Sequence, residues 1–263
     1  MRARTDAING AAFLMPWAFT GYPGIACSPA AATMAARVAA LGPVPARVAA
    51  DACLPIAPQV AARQIAEGFA AAPPELWFAR RGEGAAAFIR GVAGAVDGLA
   101  RTLAEAGAVL HGVLRATSTD GAALFAALRE RSTPADPVEG LFRACEMHRE
   151  RRGAQHVTAA TAHGLDPCEL LVLTAAVRGP GVHTVLGSWP QRRRDEAGAR
   201  LRELGFVDLE GAATDAGRAC REAIERTTDL ADMTLVQHLG ADAESIVEAL
   251  TPIAAAVVRG APT

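Results

Sequence analysis

The stretch RLRELGFVDLEGAATDAGRACREAIE, from Arg200 to Glu225, decides the fold. Short apolar runs lie on either side of Glu210-Gly211, and this pattern predicts a minimal β-hairpin. Thr214 or Asp215 then provides an N-cap for a helix that we predict over Ala216–Asp229. The stretch therefore predicts the end of one helix, a tight hairpin and the start of a longer helix.

Further helices are predicted on both sides of this stretch. Asp166-Pro167 provides an N-cap and a first-turn proline for a helix over Cys168–Val177. After a Gly-Pro-Gly loop, Trp189-Pro190 opens a helix over Gln191–Leu204. A last helix is predicted over Ala243–Val258. The order of helix, turn, helix, short hairpin and long helix is that of a winged helix.

The same residues resemble winged-helix regulators of the MarR type. In those proteins the recognition helix ends in leucine and glycine before the wing, as Leu204 and Gly205 do here. Their wing returns through a Thr-x-x-Gly-Arg-like helix start, which Thr214, Gly217 and Arg218 match. The resemblance implies a winged-helix fold, whereas DNA binding is a separate question because a fold does not determine a function.

More broadly, the chain is identified as a divergent member of an actinobacterial family of mostly uncharacterised MarR-like winged-helix proteins. The resemblance covers residues 36–258 and is strongest from Leu141 onward and at LGPVPARV, residues 41–48. Where that family reads Glu-His-Arg-Gly-Asp-Gly-His, residues 150–156 of this chain read ERRGAQH. The family is also aromatic where residues 53–56 of this chain read CLPI. The chain therefore departs from the family pattern at two places.

Composition favours a mainly α fold, with a helical N-terminal domain ahead of the winged-helix unit. Alanine is abundant and aromatic residues make up only 5% of the chain, which favours helices over strands. Ser28-Pro29 starts an alanine-rich helix, and one long helix is predicted over Glu83–Ala106. The linker STPADP, Ser132–Pro137, gives a predicted boundary between domains 1–136 and 137–263.

Cysteine use and charge indicate a reduced cytoplasmic protein without a membrane partner. The five cysteines are widely spaced and form no C-x-x-C pair, so we predict reduced, mostly buried thiols. The uncharged stretch 7–36 is broken by Pro16, Gly21 and Pro23, so we expect no secretion signal. No apolar run is long enough to cross a bilayer.

Charge argues against strong duplex binding. Residues 1–136 carry 12 Arg and 10 acids, a balance of +2, whereas residues 137–263 carry 14 Arg and 18 acids, a balance of −4. Phosphate neutralisation supplies most non-specific DNA affinity, and the half with the predicted winged helix is the acidic one. Arg192, Arg193 and Arg194 near a helix start favour DNA contact, but Asp208 and Glu210 make the predicted wing acidic.

A row of polar residues extends an apolar stripe after the linker. We predict a helix over Val138–Arg152, an interruption at Gly153 and a second helix over Gln155–His163. On this spacing His148, Arg152 and His156 follow Leu141 and Cys145 along one face. In our functional interpretation Arg152 holds an acidic group of a ligand, His156 exchanges a proton and Glu150 orients one of them. The alternative is an inter-domain salt bridge, and a metal site is less favoured because no third ligand lies nearby.

The N-terminal segment provides the apolar side of the predicted ligand site. Phe13, Met15, Trp17, Phe19 and Tyr22 lie in an irregular stretch that something must cover, either a ligand, a partner or the protein core. Cys53 is placed at the same site, but no base adjoins it in sequence, so we predict a thiol that is not a nucleophile.

Three functions follow from these observations. The first is a pocket protein that binds a hydrophobic or acidic small molecule, with a possible role as an enzyme of specialised metabolism through His156, Arg152 and Glu150. The second is a MarR-like regulator that binds DNA as a homodimer and responds to a ligand. The third is an interaction protein with neither activity. The sequence ranks DNA below a small molecule as partner and leaves the cofactor open.

Overall fold

The computed structural model describes residues 1–14, 22, 24–94, 96, 99–119, 121–179 and 183–260. This part of the chain is mainly α-helical, as predicted. A short 3₁₀ turn, Ala39–Leu41, follows the second helix. The α-helices in chain order are α1 (Arg2–Leu14), α2 (Pro29–Val38), α3 (Ala46–Asp51), α4 (Pro58–Ala71), α5 (Pro74–Ala93), α6 (Leu99–Ala116), α7 (Ala123–Arg129), α8 (Pro137–Ala162), α9 (Pro167–Arg178), α10 (His183–Leu186), α11 (Gln191–Glu203), α12 (Asp215–Leu239) and α13 (Asp242–Arg259).

The long helix α8 is the centre of the molecule. It packs against α1, α5, α6, α7 and α12. Its first half joins the N-terminal helices and the ends of α12 and α13 in one apolar cluster, which includes Leu110, Phe142 and Leu250. A second cluster joins the end of α8 to α9, α11 and the start of α12 around Leu173 and Leu201. The helix α8 therefore runs from one apolar cluster into the other.

The predicted domain boundary falls at the first residue of α8. The first half of α8 packs with the N-terminal helices, so the apolar clusters divide within this helix and not at its start. The division into 1–136 and 137–263 stays a prediction.

The predicted helix interruption at Gly153 is wrong. The helix α8 is continuous from Pro137 to Ala162. A glycine inside a helix costs only about 1 kcal/mol relative to alanine, and packing of α8 against the surrounding helices outweighs that cost. A β-carbon at Gly153 would have no neighbour within 4 Å, so this position is an opening on the helix surface.

The single helix predicted over Glu83–Ala106 is also wrong. The helix α5 ends at Ala93, where Gly94 is the C-cap residue, and α6 begins at Leu99. Gly91, Gly94 and Gly98 lie within eight residues of each other in the sequence. Glycine raises the entropic cost of a continuous helix, which agrees with the end of α5 at the Gly94 cap.

The predicted helix starts are confirmed where polar caps were recognised. The Ser28 hydroxyl accepts a hydrogen bond from the Ala31 amide at 3.2 Å. Asp166 accepts from the amides of the first turn of α9 and forms a capping box with Glu169. Thr214, one of two candidates, is the N-cap of α12.

A tight turn joins α11 to α12. Val207 and Ala213 form an antiparallel β-bridge, and the Thr214 amide donates to the Phe206 carbonyl at 3.1 Å. A β-carbon at Gly217 would lie 2.0 Å from that same carbonyl oxygen. The Thr-x-x-Gly pattern therefore has a physical basis: threonine caps the helix and glycine lets the turn approach it.

None of the helices in the described residues combines the length and the hydropathy that a membrane-spanning helix requires. All five cysteines lie in the described residues and are free thiols. Cys53, Cys145 and Cys168 are buried, which agrees with the predicted reduced and mostly buried thiols.

Candidate functional site

A cleft of about 430 Å³ lies between α1, α8 and the short helix α10. Apolar walls come from residues 54–56, Leu171 and Val185, and the polar side comes from α1, α2 and α8. Glu150, Arg152 and His156, the three residues proposed as catalytic from sequence, all line it. The structure therefore brings these three residues together at one cleft, and their catalytic role stays a prediction.

A second cavity of about 400 Å³ adjoins the first. The two cavities share four lining residues, Arg37, Leu54, Glu150 and Gly153. The absence of a side chain at Gly153 opens the surface of α8 at this point.

Glu150 forms a buried ion pair in the cleft wall. Arg37 donates from Nε to Oε1 at 3.0 Å and from Nη2 to Oε2 at 2.8 Å, and Arg149 donates to Oε1 at 2.6 Å. Burial alone would raise the pKa of this carboxyl, but the Arg37 and Arg149 guanidiniums lower it to about 2. Glu150 is therefore ionised at neutral pH and cannot donate a proton there.

Arg152 is held by carboxylates of α12. Its Nη2 donates to Asp229 at 2.5 Å and to Glu225 at 3.4 Å. Its Nε is buried and has no hydrogen-bond partner among the described residues. Arg152 therefore contributes positive charge to the cleft, and its Nη2 atom is fixed to carboxylates of α12.

Glu225 of α12 accepts hydrogen bonds from four arginines, and three of these arginines come from other helices, α1, α8 and α9. Besides Arg152, it accepts from Arg2 at 3.0 Å, Arg178 at 3.1 Å and Arg221 at 2.7 Å. Burial opposes ionisation of Glu225, but the hydrogen bond and charge of Arg221, with Arg2, lower its pKa to about 2. We call Glu225 with these four arginines the Glu225 cluster. It carries more positive than negative charge beside the cleft.

His156 is a neutral base in this setting. Burial, and then the charges of Arg221 and Arg152, lower its pKa to about 4. The Thr228 hydroxyl donates to the Ile224 carbonyl at 2.8 Å, so at its 3.1 Å contact with His156 it accepts from Nδ1–H. The proton of the neutral ring then lies on Nδ1, and Nε2, which has no hydrogen-bond partner in the described chain, is a lone-pair acceptor.

His148 lies in a buried network outside both cavities. Its Nδ1 contacts the Thr5 hydroxyl at 2.8 Å, and its Nε2 contacts Asp232 at 3.0 Å. Asp232 also accepts from Arg151 at 2.8 Å. Burial would raise the pKa of Asp232, but the hydrogen bond from His148 and the charge of Arg151 lower it. This network ties α1, α8 and α12 together.

The remaining residues predicted to bind a ligand are not brought to the cleft by the described chain. Tyr22 is buried against Trp77, with ring centroids 5.3 Å apart. Cys53 is buried and lines neither large cavity, and burial raises the pKa of its thiol to about 11. Met15, Trp17, Phe19 and the side chain of Phe13 lie outside the described residues.

The arginines of α11 differ in exposure. The Arg192 side chain is 90% exposed. Arg193 forms an ion pair with Asp166 and another with Glu196, and Arg194 donates to Gln191 at 2.6 Å. Of the three arginines proposed for DNA, Arg192 is therefore the one whose charge faces solvent most fully.

The C-terminal end of α11 also carries one paired arginine and one exposed arginine. Arg200 donates to the buried Glu169 of α9 at 2.8 Å. Arg202 is exposed and has no ion pair among the described residues. One face of the helix is thus fixed to α9, through Ala197, Leu201 and these ion pairs, and the other is open.

Comparison with known proteins adds the family. A model described as a helix-turn-helix family matches residues 1–262. The chain belongs to this helix-turn-helix family. None of the curated proteins and none of the solved structures matches the chain. Membership confirms the helix-turn-helix part of the resemblance seen in sequence, and the MarR-like and actinobacterial details stay predictions.

The sequence analysis did not find the residues that pair with the polar side chains of α8. Arg2, Arg37, Glu225 and Asp232 come from distant parts of the chain, and the Arg37–Glu150 pair alone spans 113 residues. Arg37 carries a local signal, because it lies between buried Ala36 and Val38 at the end of an apolar helix. Such an arginine needs a buried carboxylate.

Proposed function

We propose that the chain binds duplex DNA with α11 as its recognition helix, in a winged-helix unit built from α9, α11, the turn after α11 and α12. The observation that supports this most is the division of α11 into an anchored and an open face. Ala197 and Leu201 are buried against α9, whereas the opposite face projects into solvent. A recognition helix needs this placement to enter the major groove.

The open face carries suitable groups for DNA. Gln191 and Arg192 lie at its start, Ala199 is small and exposed, and Arg202 lies near its end. Arginine and glutamine hydrogen-bond to phosphates and base edges, and an exposed alanine allows close approach and contact with a thymine methyl group. We therefore assign groove contact to this face.

The turn after α11 is a poor phosphate contact. Leu209 at its tip is 87% exposed, and Asp208 and Glu210 lie on either side of it. Carboxylates repel the DNA backbone, so in this proposal α11 makes the contacts and the turn stays clear of the phosphates.

Family membership changes the ranking made from sequence, which placed DNA below a small molecule. The balance of −4 over residues 137–263 still limits affinity, because five arginines on α11 face three acids on the same helix, an excess of only two. We expect moderate, strongly salt-dependent binding. The homodimer that a two-fold operator requires stays a prediction.

The test is fluorescence anisotropy with a labelled mixed-sequence duplex, from about 50 to 300 mM salt. We expect affinity to fall as salt rises, and Arg192→Ala and Arg202→Ala each to reduce the slope by about 0.9 for every phosphate that the arginine neutralises. Arg80→Ala on α5 is the matched control, since Arg80 is also exposed and pairs with a neighbour, Glu83. Salt-independent binding, or equal slopes for all three variants, would overturn the proposal.

A second candidate function is small-molecule binding in the cleft, with or without catalysis. The specific observation is that His156, whose Nε2 has no hydrogen-bond partner in the described chain, lines a cleft whose size is in the range of ligand pockets. Glu150 and Arg152 are held in ion pairs, so in this function they position a ligand and His156 is the group that can accept a proton. Coupled to DNA binding, the cleft would make the protein a ligand-responsive regulator.

Occlusion of the cleft tests this second function. Gly153→Leu would place a side chain in the opening that borders both cavities. A thermal-shift screen of small organic molecules is expected to give hits with the wild type that disappear with Gly153→Leu. Gly198→Leu, at an open glycine of α11 remote from the cleft, should retain them. Hits that survive Gly153→Leu would refute binding at this place.

A further inference from the structure

One part of the cleft lining is positively charged, and another part is aliphatic. Four arginines line it, Arg2, Arg37, Arg149 and Arg152, against two carboxylates, Asp6 and Glu150. The lining from outside α1, α2 and α8 is aliphatic, from Leu54, Ile56, Leu171 and Val185, and no Phe, Tyr or Trp lines the cleft among the described residues. A ligand that matches both sides has an anionic end and an aliphatic body.

The excess of positive charge remains when the neighbouring cluster is included. Arg2 and Arg152 share Glu225 with Arg178 and Arg221, and Arg152 also reaches Asp229. Asp229 and Arg178 are both at least half exposed, so solvent screens both of these charges and leaves the excess of guanidiniums among the remaining groups. The protein therefore offers too few carboxylates to balance the guanidiniums at this end of the cleft, and an anion would complete the set.

His156 lies in the same positively charged surroundings, and it also requires a hydrogen-bond donor on the ligand. Burial is the main cause of its lowered pKa, and the charges of Arg221, Arg152 and Arg2 lower the pKa further against the opposing charge of Glu225. Its Nδ1 is committed to Thr228 as a donor. The open Nε2 can only accept, so it selects a ligand that carries an O–H or N–H group near its charged end.

We propose that this cleft binds an aliphatic organic anion that bears a hydroxyl group close to its acidic group, with the anion facing Arg2 and Arg152 and the hydroxyl donating to Nε2 of His156. The inference deepens the second proposed function, on which it rests, and is independent of DNA binding. It names the ligand by its chemistry: one negative charge, one donor and a flexible apolar tail.

The test is isothermal titration of the full chain with three probes of equal chain length: octanoate, its neutral amide octanamide, and β-hydroxyoctanoate. Octanoate is expected to bind at least about tenfold more tightly than octanamide, a difference of about 1.4 kcal/mol, because its charge outweighs the N–H group that the amide can donate to Nε2. β-Hydroxyoctanoate is expected to bind more tightly than octanoate, because its hydroxyl satisfies Nε2.

Two variants separate the charge from the hydrogen bond. Arg2→Gln removes a partly exposed lining charge and should weaken octanoate while octanamide is unchanged. Arg4→Gln on the same helix is the control, since Arg4 does not line the cleft and its Nε donates to Thr251. His156→Phe should abolish the advantage of β-hydroxyoctanoate over octanoate.

The outcomes distinguish this inference from the function beneath it. If octanamide binds as tightly as octanoate, or Arg2→Gln and Arg4→Gln act alike, the cleft binds small molecules but the preference for an anion is overturned. If the hydroxyl advantage survives His156→Phe, the role of Nε2 is overturned. If no probe binds, the inference is refuted for this class, and the screen with Gly153→Leu still decides whether the cleft binds any ligand.

Discussion

Arginines on α8 and α11 differ in burial and in pairing. On α8, Arg143, Arg151 and Arg152 are buried, and each is fixed to a carboxylate. On α11, Arg192 and Arg202 are open to solvent. In a chain without lysine, arginine supplies both the structural and the surface cations. Its planar, permanently charged fork suits paired burial, which an ammonium tolerates less well. The residue type is the same in both helices. Burial therefore distinguishes the arginines that stabilise the fold from those on the proposed DNA-binding face.

The largest effect should come from breaking a buried pair on α8. Glu146 pairs with Arg81 and accepts from Arg143 at 2.9 Å, and its side chain is 1% exposed. Glu146→Gln should lower the free energy of unfolding by about 3–5 kcal/mol, because the buried Arg81 and Arg143 both lose this carboxylate, although Arg143 keeps its 3.3 Å pair with Glu139. Urea denaturation followed by circular dichroism measures the decrease.

The matched control for this change is Glu83→Gln on α5. Glu83 pairs with Arg80 at 3.0 Å, and both side chains are more than half exposed. Its removal should cost no more than roughly 0.5 kcal/mol. Equal denaturation curves for the two variants would show that burial does not separate the two kinds of pair.

A medium effect is expected where the turn after α11 meets α12. Gly217→Ala would place a β-carbon 2.0 Å from the Phe206 carbonyl oxygen, so the backbone must shift. We expect a destabilisation of about 1–3 kcal/mol, typical of overpacking. Gly198→Ala on α11, with no neighbour within 4 Å, should instead stabilise by up to about 1 kcal/mol through helix propensity. Thermal denaturation of both variants should show opposite signs, and shifts in one direction would contradict the close approach.

Acidification should weaken the α8 region in two steps. The pKa of His156 is lowered from 6.5 to about 4, so its stabilising contribution is full above pH 6.5 and is lost as pH falls toward 4. The pKa values of Glu150 and Glu225 are lowered from 4.5 to about 2, so theirs is full above pH 4.5 and is lost as pH falls toward 2.

The variant His156→Gln isolates the first step. Burial also lowers the pKa of His111, so the wild type should lose stability between pH 7 and pH 5 through both histidines. His156→Gln should show a smaller decrease than the wild type, whatever its absolute stability, because only groups other than His156, such as His111, then contribute. Urea midpoints at the two pH values measure it, and an unchanged difference between them would contradict the assignment to His156.

The sequence revealed local features well and distant partners poorly. The caps at Ser28, Asp166 and Thr214 depend on residues within one turn, so composition and spacing were enough to find them. The polar row on α8 was visible because His148, Arg152 and His156 share one helix face. Its partners in α1, α2 and α12 were not visible, since no local pattern shows which carboxylate meets which arginine. Tertiary packing likewise kept α8 continuous through Gly153, against the local propensity.

The smallest effect is expected within α11, where a paired arginine and an exposed arginine are neighbours. Arg193 pairs with Asp166, the N-cap of α9, whereas the neighbouring Arg192 has only a 3.6 Å contact with Glu196. Arg193→Ala should therefore lower the unfolding free energy by up to about 1 kcal/mol, and Arg192→Ala should leave it unchanged. For DNA the order should reverse, with Arg192→Ala the more harmful change at equal folded fraction. If both variants reduce stability and DNA affinity in parallel, then α11 does not divide into an anchored face and an open one, and the assignment of its open face to DNA fails with it.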